Sequence, residues 1–227
     1  MNRIQIALFF TLFYTGLNAQ INEIGIFAGG ANYIGDVGPT TYIAPNDIAF
    51  GLIYKWNRST RHSYRFSYTY GKIKSDDLDA DVADRSLRGF NFKNNIHEAS
   101  AGMEFNFFSF DLHHMKPQIT PYVYTGLSYF AYKELFYTES KAREDYQEGA
   151  LAIPIIVGIK ARLARDFVLG LEVGARYTFT DNLDGSNPKN KNLTPLQFGN
   201  INSKDWYVFT GFTLTYTFGE NPCFCPQ

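Results

Sequence analysis

From Phe212 to Phe218 the side chains switch, one by one, between large apolar and small polar. Phe212, Leu214, Tyr216 and Phe218 share one face, and Thr213, Thr215 and Thr217 share the other. Successive side chains of an extended strand point to opposite faces. The pattern therefore demands a strand that is apolar on one side and polar on the other. The strand that contains this run opens on Trp206 and closes on Phe218, and aromatic residues at both ends suit a strand whose apolar face meets lipid.

The same period recurs along the chain. Ile48, Phe50, Leu52, Tyr54 and Trp56 form one apolar row, and Tyr64, Phe66, Tyr68 and Tyr70 form the next. Ala99, Ala101, Met103, Phe105 and Phe107 follow, then the odd positions from Leu151 to Leu163 and from Phe167 to Phe179. Two further segments, 23–34 and 119–132, read as strands whose faces the pattern does not assign. Glycines interrupt the first, which suggests bends or close backbone approaches. The count is about eight. Long connections are expected after strands 1, 3, 5 and 7 (35–47, 75–93, 133–149 and 181–203). Short turns are expected after strands 2, 4 and 6 (57–61, 108–118 and 164–166). The reading is an all-β chain, a transmembrane antiparallel up-and-down β-barrel of the outer-membrane type. Its last strand, ending on Phe218, looks like the strand that closes such barrels.

Sixteen Tyr and 21 Phe exceed what an average soluble domain carries, and aromatic girdles account for them. The formal net charge of −1 offers no basic field for nucleic acid or anionic lipid. Arg3, the apolar run from Ile4 to Leu17 and Leu17-Asn18-Ala19 have the layout of a secretory signal. The expected organisation is a signal peptide over 1–19, a barrel over 20–218 and a short tail over 219–227. Both ends of the mature chain then lie in the periplasm, and the long loops outside the cell.

On the polar faces, Lys55, Arg65, Glu98, Glu104, Lys160, Arg162, Glu172 and Arg176 all point into the lumen. An eight-stranded barrel has an interior only wide enough for side chains. Charges confined there must pair, because an isolated buried ion is costly. The expectation is a packed salt-bridge network rather than an ion path. No catalytic group is assigned: His97 and Glu98 are strand neighbours on opposite faces, and no nucleophile elbow is present. No metal site and no cofactor are expected. Asp76, Asp77, Asp79 and Asp81 lack the register of a calcium loop. Cys223 and Cys225 are closer than zinc ligands usually are, and a disulfide suits an oxidising compartment. The turn at 108–118 carries Phe108, Phe110, Leu112 and Met115 around His113 and His114. Aromatic residues and Met are enriched in interface cores. This turn is the candidate partner-binding surface, with capping of the barrel floor as the alternative.

Three stretches, Gly29-Gly30-Ala31-Asn32-Tyr33-Ile34-Gly35-Asp36, Tyr54-Lys55-Trp56-Asn57 and Pro121-Tyr122-Val123-Tyr124-Thr125-Gly126, resemble the PorG family of outer-membrane β-barrels. The resemblance runs from about Ile21 to Phe218. It implies a non-enzymatic component of the type IX secretion system that links the periplasmic ring of PorK and PorN to the outer membrane. Besides those ring proteins, the expected surroundings are outer-membrane lipid. The alternatives are a small structural or adhesin-type barrel acting through its outer loops and, third, a lipid-modifying enzyme.

Overall fold

The computed structural model describes residues 21–112, 117–138, 140–164, 166–200 and 202–219. Among these, eight strands close into a barrel in chain order. They are β1 (Ile21–Ile34), β2 (Asp47–Asn57), β3 (His62–Asp76), β4 (Asn91–Asn106), β5 (Ile119–Thr138), β6 (Lys141–Ala164), β7 (Phe167–Thr178) and β8 (Trp206–Phe218). Neighbours pair antiparallel all the way round. The ring closes where β1 meets β8, from Asn22 opposite Phe218 to Ile34 opposite Trp206. Closure satisfies the backbone of the wall and removes its edges.

The alternation read from the sequence decides which side chains face out. Phe50, Leu52, Phe66, Ile155, Val157, Leu171 and Phe212 stand exposed on the outer surface. The interleaved Lys55, Arg65, Glu98, Glu104, Lys160, Glu172 and Arg176 are buried in the interior. An apolar exterior around an ionic interior inverts a soluble protein, and it is the arrangement of a membrane-spanning barrel. No helix among the described residues is long and apolar enough to cross a membrane; the crossing is made by strands. β1 now has assigned faces: Ile24 and Ile26 point out, Glu23 and Phe27 point in. In β5, Tyr122, Tyr124, Ser128 and Phe130 point in, while Leu127 and Tyr129 point out.

One connection differs from expectation. Segment 133–149 is not a loop: β5 and β6, of 20 and 24 residues, continue as a paired ribbon up to Thr138 and Lys141. About 9–11 residues suffice to span a bilayer, so the ribbon projects past the belt. Outside lipid its exposed face needs no apolar row, and Arg143, Glu144 and Asp145 are exposed. A register shift between Lys133 and Leu135 turns both Glu134 and Leu135 inward. Elsewhere β3 and β4 run further than the sequence suggests, to Asp76 and from Asn91. The connection between them holds a 3₁₀ turn (Asp77–Asp79) and helix α1 (Ala83–Arg88). The helix ends on Gly89 at φ 67°, the left-handed position that glycine adopts at little cost. The signal segment 1–19, His113, His114 and Met115, and the tail with Cys223 and Cys225 lie outside the described residues.

Candidate functional site

The lumen is filled at three levels. At mid-barrel and toward the end where β1 begins and β8 ends, Glu104 from β4 meets three cations. Lys160 Nζ lies 2.5 Å from its Oε1, Lys55 Nζ 2.8 Å from its Oε2 and Arg65 Nη1 3.8 Å from its Oε2. Arg65 forks onto Glu172 at 2.7 and 2.8 Å, and Tyr122 donates to the same carboxylate at 2.6 Å. Planar guanidinium and carboxylate groups match in two parallel hydrogen bonds, a geometry that a lysine cannot copy. Higher in the barrel, Arg176 donates to Glu98 at 3.1 and 3.2 Å, and Tyr207 donates to Glu98 at 2.6 Å. Glycines make the room. A Cβ on Gly158 would sit 2.6 Å from the Tyr122 ring, and one on Gly174 would sit 2.4 Å from Arg176 Nη1.

One sequence assignment changes, and one residue that the sequence left unassigned joins the lumen. Arg162, expected in the lumen, is instead half-exposed at the rim, its Nε donating to the Ala164 carbonyl at 3.2 Å. It lies only two residues from the tight turn into β7, where the wall ends. Glu23, on a strand whose faces the sequence did not assign, also points into the lumen. It is buried and accepts from Asn57 Nδ2 at 2.9 Å and Thr215 Oγ1 at 2.5 Å.

The end of the barrel where β1 begins and β8 ends has a floor. Residues 107–112 fold across the β2–β3 turn, with Phe110 N donating to Thr60 O at 2.9 Å and Asn106 Nδ2 to the same oxygen at 3.1 Å. Phe110 is thereby drawn inside, 5% exposed, with its ring 5.0 Å from Lys160 Nζ. It caps the lumen and is not a surface residue. Phe108 is 60% exposed, and Leu112 is half-buried.

The opposite mouth is closed by a plug that the sequence reading treats as plain loop. Residues 181–186 of the β7–β8 connection are all buried. Asp205 Oδ1 accepts from the Tyr33 hydroxyl at 2.5 Å, and its Oδ2 accepts from Leu183 N at 2.8 Å. Asp36 accepts from Asn200 N, and Asn182 donates to Glu134. Burial, then the neighbouring acids, hold the Asp205 carboxyl well above the usual range. Burial also raises Asp184, and it pushes Asp181 up to about 6. The β3–β4 connection seals the side. Arg88 pairs with Asp77 at 2.7 Å and lies between the rings of Phe90 and Phe198, at 4.8 and 4.7 Å.

None of these clusters sets a nucleophile beside a base at an open surface. His97, which the sequence left without a catalytic role, lies on the outer face, its Nδ1 2.9 Å from the Tyr68 hydroxyl. Among the described residues no three His, Cys, Asp or Glu side chains are grouped so as to hold a metal ion. What the arrangement does chemically is to cross-brace β2, β3, β4, β6 and β7 through ion pairs, tie β1, β5 and β8 to them through hydrogen bonds of Glu23, Tyr122, Tyr207 and Thr215, and cover both ends.

A family model described as Domain of unknown function (DUF6089) matches residues 2–227. No curated protein matches the chain. Solved structures that are similar include Ail, the attachment invasion locus protein of Yersinia pestis, at 10% identity and a TM-score of 0.48, covering 88% of this chain and 99% of that one. A major outer membrane protein of Thermus thermophilus is similar at 12% identity and a TM-score of 0.47, covering 88% and 100%. Neisserial surface protein A is similar at 8% identity and a TM-score of 0.46, covering 89% and 99%.

Proposed function

The chain belongs to the DUF6089 family, and for this member we propose a non-enzymatic anchoring role in an outer membrane. The observation that carries this reading is the filled lumen: among the described residues the Glu104, Glu172 and Glu98 ion pairs occupy the interior, with buried Phe110 below them and the buried 181–186 segment above. A braced, stopped barrel serves to hold a position in the membrane and to present its ends. In the proposed orientation the termini and the 107–118 connection face the periplasm, and the ribbon of β5 and β6 faces outward.

The finer reading, a component of the type IX secretion system that ties a PorK/PorN-type ring to the outer membrane, rests on the motif resemblance at 29–36, 54–57 and 121–126. Its proposed contact surface is exposed Phe108 with Leu112, His113, His114 and Met115. Phe110 is excluded because it fills the floor. The test is co-purification of the ring from detergent-solubilised outer membranes, with secretion of cargo scored alongside. Replacing Phe108, Leu112 and Met115 by Ser is expected to leave a heat-modifiable barrel that loses the ring and secretes less cargo. A folded variant that keeps the ring at wild-type yield rules out this surface. A second reading, an outer-surface binding protein, is favoured by the projecting ribbon with its exposed charges. Normal secretion in a deletion strain would favour it.

A further inference from the structure

The apolar exterior has a recess over β4. At mid-belt the outward positions of this strand are Ala99 and Ala101. They stand between Tyr68 and Phe66 on β3 and Tyr129 and Leu127 on β5, all four exposed. Two methyl groups among four large side chains leave a hollow of about 610 Å³ with apolar walls. Facing a bilayer, such a hollow takes hydrocarbon rather than water.

Above the recess the same outward rows turn polar and then basic. The ring of His97, two residues nearer the outer end of β4, lies 5.0 Å from that of Tyr70. Beyond this pair come Lys72 and Lys74 on β3, and Asn95 and Lys93 on β4. Lys74 is directly opposite Lys93, and Lys72 is opposite Asn95, one diagonal step from Lys93. Like charges placed directly across a strand pair destabilise it. From Tyr70 to Lys74 and from Lys93 to His97 no outward side chain is acidic. The acids nearby are Asp47, 3.8 Å from Lys74, and Asp76 and Asp79, which line a separate recess above with Lys74 and Lys93. Among the described residues Lys72 and Lys93 are in no ion pair. Lys72 stands four residues along the strands from Ala99, about 13 Å. With strands tilted by about 45° that is roughly 9 Å of depth, enough to pass from hydrocarbon into the headgroup layer.

We propose that this face of the barrel binds one anionic, phosphate-bearing membrane lipid, with an acyl chain in the Ala99–Ala101 recess and the phosphate among Lys72, Lys74 and Lys93. Lysine binds phosphate as a point charge. Its stem lies along apolar surface while the ammonium reaches the headgroup layer. The phosphate relieves the repulsion between Lys74 and Lys93, and the chain fills the hollow, so one amphiphile answers both features. The net charge of −1 gives no sign of the cluster, because it is local. In the orientation proposed above, the lipid is one of the outer leaflet. The site needs only the membrane-spanning barrel and stands apart from any ring contact.

The test is native mass spectrometry of the heat-modifiable barrel in detergent, with phosphatidic acid and phosphatidylcholine of equal chain length as probes. Retention of one phosphatidic acid, well above that of phosphatidylcholine, is expected. Lys72→Gln combined with Lys93→Gln should weaken phosphatidic acid binding by roughly tenfold or more, since each basic residue at a headgroup adds to the attraction. Ala99→Phe fills the recess, leaves the lysines in place and should weaken binding as well. Lys191→Gln, on the exposed part of the β7–β8 connection, should leave it unchanged. Equal retention of the two lipids by wild type would overturn the site as ordinary bilayer contact. Displacement of the lipid by inorganic phosphate, or wild-type affinity in Ala99→Phe, would overturn it as attraction of the headgroup alone. A dimer that Ala99→Phe breaks, with lipid retention unchanged, would assign the recess to a second copy of the chain instead. Should the lysine double variant fail to fold, the lipid selectivity of wild type and the Ala99→Phe result decide between these outcomes.

Discussion

The lumen charges act as pairs, so the consequence of removing one is set by what it leaves behind. Glu172→Leu strands the Arg65 guanidinium and the Tyr122 hydroxyl, both buried and both aimed at the lost carboxylate. Breaking a buried pair in this way costs about 3–5 kcal/mol. The variant is expected to unfold at clearly lower denaturant concentration in detergent, and a wild-type midpoint would mean that Glu172 is solvated. Most of these inward residues are readable from sequence because each sits on the polar row of a cleanly alternating strand. Glu23 is not, since Gly25, Gly29 and Gly30 break the alternation around it. Arg162 has the right parity but the wrong height, two residues from the end of the wall. Asp181 and Asp184 are invisible to periodicity altogether. They lie in a polar connection, and only its folding into the mouth buries them.

Strands reveal themselves to the degree that their two faces meet different media. β2, β3, β6 and β7 meet lipid outside and the charged lumen inside, and their apolar rows are plain. β5 puts Tyr122 and Tyr124 inside and Tyr129 outside, so aromatic character marks both faces and parity is lost. Past the shift at Lys133 and Leu135 the row changes side, and the ribbon beyond it reads as a charged loop. The belt itself gives a direct test. Val157 faces out at mid-strand, 54% exposed and opposite Val173. Val157→Arg is expected to cost about 2–4 kcal/mol near the bilayer midplane, read as reduced folding yield into lipid vesicles. Normal folding would mean that this face does not meet the hydrocarbon.

For the molecule as a whole, the same few features decide shape and support the proposed anchoring role. Eight strands enclose a lumen that side chains can fill, four acids and four cations fill it, Phe110 closes one end and the 181–186 plug the other. Each stop has its own cause. The floor follows from the bonds of Phe110 and Asn106 to Thr60, and the mouth from the Tyr33–Asp205 and Arg88–Asp77 ties. An anchor needs this rigidity, whereas a conduit would need a continuous wet path between the two ends. The central claim is therefore tested most directly by conductance of the purified barrel in planar lipid bilayers. The account predicts silence at moderate voltage, with no stable steps. Sustained, reproducible channel openings from wild-type protein would contradict it.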